Sequence, residues 1–168
     1  NDLVEALKDG LDDEGRDLAV YPHPQGYPPL REYVASRLFK TRGMRVSPDQ
    51  IVLADGSSQP IHMVAEVLFN PGDVVFADHF VYSGTLATFS RFGADVRGIE
   101  CDDWGMIPDV LAESIASVKA EGKQPKLIYT IPTFQNPLGF TIPVGRRKEG
   151  CQAHRPVRRG LLLRLHRG

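Results

Sequence analysis

From residue 46 onward, short β-branched runs alternate with segments of helical period, and the alternation repeats. Such a pattern restricts the chain to an α/β fold with a mostly parallel sheet and helices on its faces. Ile51-Val52-Leu53-Ala54 reads as a first strand. Ile61, Val64, Ala65 and Leu68 then fall at i, i+3, i+4 and i+7, one face of a helix that Asn70-Pro71-Gly72-Asp73 stops. Val74-Val75-Phe76-Ala77 is the next strand. A helix over residues 85–92, ended by Gly93, leads to a strand over 95–99. Pro108 opens a helix with Leu111, Ile115 and Val118 on one side, and Gly122 closes it. Leu127-Ile128-Tyr129-Thr130 makes the fourth strand. Ahead of this region lie a short amphipathic helix over 2–8, a polar connector over 11–19, and a strong helix over 28–42 with Leu30, Tyr33, Val34 and Leu38 on one face. Between connector and helix, residues 21–29 hold too many prolines for a helix or a central strand and read as an ordered loop or extended arm.

The length, 168 residues, suits about one domain of the usual ~100–200 residues. No apolar run approaches the ~20 residues of a membrane span, and the Asn1-Asp2 start shows no signal-peptide pattern, so a cytoplasmic location is expected. Cys101 and Cys151 are too few for a disulfide framework or a zinc cluster. The first residue is Asn, which suggests a fragment. The formal charge of −1 hides a split: residues 1–145 carry 12 basic and 20 acidic side chains, and residues 146–168 carry 8 basic ones against Glu149 alone.

In parallel α/β sheets ligands gather outside the carboxyl ends of the strands, so chemistry is sought in the turns that follow them. In Asp55-Gly56-Ser57-Ser58-Gln59-Pro60, Gly56 permits a tight turn, and two serines set hydroxyls and N–H groups at the positive end of a helix, an anion cradle or a simple serine cap. Neither GxGxxG nor GxxxxGK[ST] occurs, which disfavours a dinucleotide or P-loop site. In the turn over residues 78–84, Tyr82 can lie flat on a planar ligand or belong to the core. In the turn over 131–139, Gln135 and Asn136 can face the same ligand with their amides, or Asn136-Pro137 can be a plain turn.

Together these turns describe a pocket for a flat, phosphorylated heteroaromatic, and the combination resembles the pyridoxal-phosphate-dependent aminotransferases of fold type I, class I/II. Tyr21…Gly26-Tyr27-Pro28-Pro29-Leu30-Arg31-Glu32 is similar to the family's arm, Gly56-Ser57-Ser58-Gln59 to its phosphate loop, Asn70-Pro71-Gly72-Asp73 to the turn that follows, and Asn136-Pro137-Leu138-Gly139 to its Asn-Pro-x-Gly turn. The resemblance runs from about residue 17 to 149 and is nearest the aminoadipate- and kynurenine-type branch, which has Tyr-Ser-Gly after the second strand. It implies a three-layer sandwich, the large domain of the family in incomplete form, with pyridoxal 5'-phosphate as cofactor. It divides the chain into an arm and helix over 1–48, a partial cofactor-binding large domain over 49–145 and an atypical basic tail over 146–168. It implies that Ser57 and Ser58 bind the phosphate, that Tyr82 stacks on the pyridine ring, and that Asn136 donates to the ring's phenolic oxygen. Tyr21 would reach the phosphate in the neighbouring subunit of a homodimer, and Gly26 would touch the substrate. Amino acid and 2-oxo acid are the implied partners, with no nucleic acid and no membrane. Leu138 departs from the family, where Thr is commoner, and Asp55 beside the phosphate loop is expected to face away from a dianion.

Transamination also needs a lysine amine to anchor the cofactor as a Schiff base and move the proton, an acid against the pyridine nitrogen, and usually an arginine for the substrate carboxylate. In the family all three lie beyond the Asn-Pro-x-Gly turn. None of Lys8, Lys40, Lys119, Lys123, Lys126 and Lys148 follows the serine-rich strand end expected of the anchoring lysine, so the catalytic set in this chain is read as none. The resemblance fades after Glu149. The basic segment that follows reads either as a tail for nucleic acid or acidic lipid, or as the product of a shifted frame. Codons permitting, Arg159-Gly160-Leu161-Leu162-Leu163-Arg164 read one base on gives Glu-Asp-Tyr-Cys-Phe, close to the acid-rich strand end of the family. Sequencing the gene decides between them.

An aminotransferase or a fragment of one is the first reading. The cofactor-binding sensor domain of an aminotransferase-like transcription regulator is the second, set lower because no winged-helix domain fits into residues 1–16. A bare α/β module without a ligand is the third. The 168-residue chain alone is expected not to transaminate, and sustained turnover by the purified chain in a coupled assay would contradict this. It is also expected to be poorly soluble, because a sheet cut after its fourth strand leaves an open edge.

Overall fold

Among the described residues, three α-helices precede the first strand of the sheet. The computed structural model describes residues 2–16, 20–154 and 161–164, and the chain divides into two compact units, Asn1–Asp55 and Gly56–Gly168. In the first unit, α1 (Asp2–Glu14) runs past the expected end at residue 8, because Leu11 continues the spacing of Val4 and Leu7. None of its residues is buried. Helix α2 (Pro28–Arg42) starts on two prolines, placed where a helix needs no N–H donors, and ends at Gly43, whose φ of 66° lets the Gly43 and Met44 N–H groups close on the carbonyls of Phe39 and Leu38. Its buried positions are Arg31 and Ala35; Leu30 and Tyr33 are exposed. Arg31 Nη1 donates to Gln25 Oε1 at 2.8 Å and to the Pro48 carbonyl at 3.2 Å, which ties the arm loop to a 3-10 turn (Pro48–Gln50).

Residues 51–54, expected as the first strand, pair with no strand among the described residues. Ile51 is extended, and the Leu53 N–H donates to the Gln25 carbonyl at 2.9 Å. A β-branched run becomes a strand only where a partner offers a ladder, and here the arm loop offers one bond.

In the second unit α3 (Ser58–Leu68) leads through Asn70–Asp73 into β1 (Val74–Asp78), all five of whose residues are buried. Then follow α4 (Ser83–Arg91), β2 (Asp95–Ile99), a two-residue hairpin of β3 (Cys101–Asp102) and β4 (Gly105–Met106), α5 (Pro108–Ala120), β5 (Pro125–Thr130), α6 (Val144–His154) and β6 (Leu161–Arg164). The main sheet has the order β2-β1-β5-β6, with every pair parallel. Side chains alternate across it as the pleat requires. Val75, Ala77, Leu127 and Tyr129 pack with Ile61 and Ala65 of α3 and Phe89 of α4. Val74, Phe76 and Ile128 pack with Leu111, Ile115 and Val118 of α5. The result is the three-layer α/β arrangement.

The fourth sheet strand is therefore β6, from the basic tail. Of that tail, the backbone of α6 and β6 is described, and residues 155–160 and 165–168 lie outside the described residues. Two of its arginines are tied into the fold: Arg146 pairs with Asp102 at 2.7 Å, and Arg147 donates to the carbonyls of Ile142 at 2.6 Å and Pro132 at 2.9 Å.

On the β2 edge, Asp95 accepts from Lys123 at 2.7 Å and Arg97 at 3.0 Å, and these hydrogen bonds hold its carboxyl below the usual carboxylate range. A lowered pKa means stabilisation that is present above the ordinary value of 3.8 and lost as the pH falls through the folded value. Because Asp95 is one-third exposed, Asp95→Asn is expected to cost under about 1 kcal/mol at pH 7 in urea unfolding. The gap to the wild-type chain should close in acid and shrink in high salt.

Candidate functional site

The chain leaves β1 through α4 to β2 on one side, then returns through α5 to β5 on the other side of β1. The two connecting helices lie on opposite faces of the sheet. Strand order thus reverses between β1 and β5, and at such a switch point the two departing loops open a crevice at the carboxyl ends. Asp78 ends β1 and Thr130 ends β5.

A buried carboxylate joins these two ends. Asp78 is 1% exposed. Its oxygens accept from Thr130 Oγ1 at 3.0 and 3.2 Å and from the Cys101 thiol at 3.8 Å, and the Ile131 N–H and the Gln135 amide also donate to it. Burial nevertheless pushes its carboxyl up to about 6, the hydrogen bonds offsetting only part of the desolvation.

Gln135, expected to face a ligand beside Asn136, is instead buried, because its amide is used by the β1 exit turn on one side and by its own turn on the other. Its Nε2 donates to the Phe80 carbonyl at 2.5 Å, and its Oε1 accepts from the Leu138 N–H at 2.8 Å. The turn also holds Phe134 at a φ of 48°, a left-handed conformation that costs a residue with a Cβ about 1–2 kcal/mol. Hydrogen bonds from the Phe134 N–H to Thr141 and from Arg147 to Pro132 and Thr133 fix its base.

Of the residues singled out in the sequence, Ser57, Ser58, Tyr82 and Asn136 belong to the second unit and are exposed. Ser57 is the N-cap of α3, and its hydroxyl makes no capping bond to its own helix. The 11 residues of α3 span about 16 Å and the five of β1 about the same. The tight turn between them thus brings the Ser57-Ser58 end of the helix back to the carboxyl end of β1. Ile61, one turn into α3, accordingly shares a core cluster with Val81, just past β1. Tyr82 is the N-cap of α4, and a Cβ on Gly84 would lie 2.5 Å from its ring, so Gly84 is what allows the ring to fold back over the helix start. Thr85 anchors that start by donating to the Tyr129 hydroxyl at 3.1 Å. Asn136 sits between buried Gln135 and Pro137, with a cis peptide bond to the proline.

Tyr21 and Gly26 belong to the first unit. Tyr21 is fully exposed, and Gly26, with φ 95°, is half-buried against Leu53. Sequence reasoning missed Asp78, Gly84 and Arg147; an acid closing a continuous apolar run was the available signal for the first.

The lysines described with partners lie at the other end of the sheet: Lys123 pairs with Asp95 and Lys126 with Asp73, beside the amino ends of the strands. An apolar cavity of about 60 Å³ lies on the α5 face, lined by Met106, Leu111, Ile128 and Ile142. It is too small for a phosphorylated heteroaromatic and lies away from Tyr82.

The family model for aminotransferase class I and II matches residues 1–149, and the chain belongs to that family. Aromatic-amino-acid aminotransferase 1 of Thermococcus litoralis is 33% identical over 87% of this chain and 35% of its own length. The HTH-type transcriptional regulator YdfD of Bacillus subtilis is 32% identical over 77% of this chain and 26% of its own. The solved structure of LysN, an alpha-aminoadipate aminotransferase from Thermus thermophilus complexed with N-(5'-phosphopyridoxyl)-L-leucine, superposes with a TM-score of 0.80 at 28% identity, over 96% of this chain and 38% of that one. The chain thus spans about a third of the length of the proteins it matches. Among the described residues, no helix is long and apolar enough to cross a membrane.

A carboxyl whose folded pKa lies above its unfolded value binds more protons in the folded state, so stability falls as the pH rises from about 3.8 through about 6. Relative to Asp78→Asn, which does not titrate, the wild-type chain should lose about 2 kcal/mol between pH 4 and pH 7, from a shift of about two pH units. Denaturant unfolding across that range measures the difference, and a constant gap would contradict the assignment.

Proposed function

We propose that this chain is the cofactor-cradling part of a pyridoxal 5'-phosphate-dependent aminotransferase that moves an amino group between an amino acid and a 2-oxo acid. Three features carry the reading: the Ser57 hydroxyl at the N-terminus of α3, which makes no cap bond to its own helix, the exposed Tyr82 ring folded over Gly84 in the turn past β1, and the exposed Asn136 amide in the turn past β5 that Gln135 pins from inside. A phosphate, a flat ring and a ring oxygen match those three in chemistry. When bound, the cofactor supplies an electron sink for bond exchange at the α-carbon of the amino acid.

In this reading Ser57 and Ser58 hold the phosphate through their hydroxyls and N–H groups at the positive end of α3, helped by the Gly56 backbone at φ 68°. The Tyr82 ring lies against the pyridine ring and excludes water from one face of it. The Asn136 amide donates to the phenolic oxygen and fixes the rotation of the ring. Tyr21 completes the phosphate site of the partner subunit in a homodimer, and Gly26 leaves room for the substrate. The organisation proposed is an arm over 1–48, a partial large domain over 49–145 and a tail from 146, in a cytoplasmic enzyme of amino-acid metabolism. The similarity to YdfD keeps a second reading, in which the same cradle serves as the sensor of a transcription regulator.

The test is a binding series with pyridoxal 5'-phosphate, read by ligand absorbance and Tyr fluorescence. Loss of charge-assisted hydrogen bonds in Ser57→Ala/Ser58→Ala should weaken binding about 10- to 100-fold. Loss of stacking in Tyr82→Ala should cost about three- to tenfold. Unchanged affinity in the double serine variant would overturn the reading.

A further inference from the structure

We propose that Asp78 is a positioning residue that holds the turn bearing Tyr82 and the turn bearing Asn136 in register across the β1–β5 crevice; this rests on the cofactor reading above. The bonds form a closed circuit. Asp78 accepts from Thr130, Ile131 and Gln135, which takes the chain from the end of β1 to the β5 exit turn. Gln135 then returns to the β1 exit turn by donating to the Phe80 carbonyl, two residues before Tyr82. With its other amide atom Gln135 accepts from Leu138, so Asn136 is bracketed on both sides by the same side chain.

The chemistry of the surroundings explains why the residue is an acid. The Thr130 hydroxyl, the Ile131 N–H, the Gln135 amide and the Cys101 thiol are all donors, and a carboxylate offers about four accepting lone-pair sites to match them. An asparagine of the same shape would turn its own NH₂ into that set of donors. The titratable group facing Asp78 is the Cys101 thiol of β3, which burial pushes up to about 11, so it remains a neutral donor over the working range. Keeping a charge buried here costs stability above pH 6, as expected where a group is retained for placement rather than for strength.

Two measurements on the full chain test this. At pH 7.5, Asp78→Asn should bind pyridoxal 5'-phosphate about tenfold more weakly while binding inorganic phosphate within about twofold of wild type, because the serine cradle does not hang on Asp78. Equal affinity for pyridoxal 5'-phosphate, or a matching loss for inorganic phosphate, would overturn the proposal. The second measurement needs no variant: in NMR spectra of the wild-type chain, the side-chain amides of Gln135 and Asn136 and the Tyr82 ring signals should move together with a midpoint near pH 6. Asn136 and Tyr82 signals that ignore the Gln135 titration would overturn it as well. If the wild-type chain binds no pyridoxal 5'-phosphate, the cofactor reading fails, and the NMR titration still decides whether Asp78 couples the two turns.

Discussion

The bond between the Asp78 carboxylate and the Thr130 hydroxyl sets the ends of β1 and β5 against each other, and the two exit turns of the second unit are placed by it. A parallel sheet covered on both faces is built from continuous apolar runs, and Val74-Val75-Phe76-Ala77 obeys that rule. Its last residue breaks the rule, and the break falls where the strand order reverses. The two exit turns take their placement from that position: they diverge there, and the donors of one turn close on the carboxylate at the end of the other strand.

The arginines of α6 support the same place from behind. Arg147 donates to the carbonyls on either side of the β5 exit turn, and Arg146 holds the β3–β4 hairpin through Asp102. Charge that counts in the sequence as part of a basic tail is, at these two positions, structural. The strand β6 then extends the sheet on β5 with its Leu161–Arg164 backbone paired to residues 127–130.

What the sequence made legible was whatever depends on period and punctuation. The apolar spacing of Leu111, Ile115 and Val118 marked the α5 face, and Asn70-Pro71-Gly72-Asp73 marked the turn into β1. Long-range partners were not legible. Residues 51–54 have the composition of a strand but meet one carbonyl of the arm loop, and composition cannot say that a ladder is missing. The α1 helix outran its expected end because a single leucine kept its face continuous through Gly10. Gln135 looked like a ligand-facing amide because nothing within the turn shows that its partners, Asp78 and Phe80, lie more than fifty residues back in the chain. The order of Ser57, Tyr82 and Asn136 along the chain is legible in the sequence; the similar lengths of α3 and β1 and the switch point beside β1, on which the proposed cradle rests, are visible only in the fold.

If these turns form one cradle for a phosphorylated pyridine ring, a crystal structure of the chain with pyridoxal 5'-phosphate will show the phosphate at Ser57 and Ser58, the ring against Tyr82 and its phenolic oxygen at Asn136. A ligand bound away from the β1–β5 crevice, or with its phosphate on another element, would contradict it.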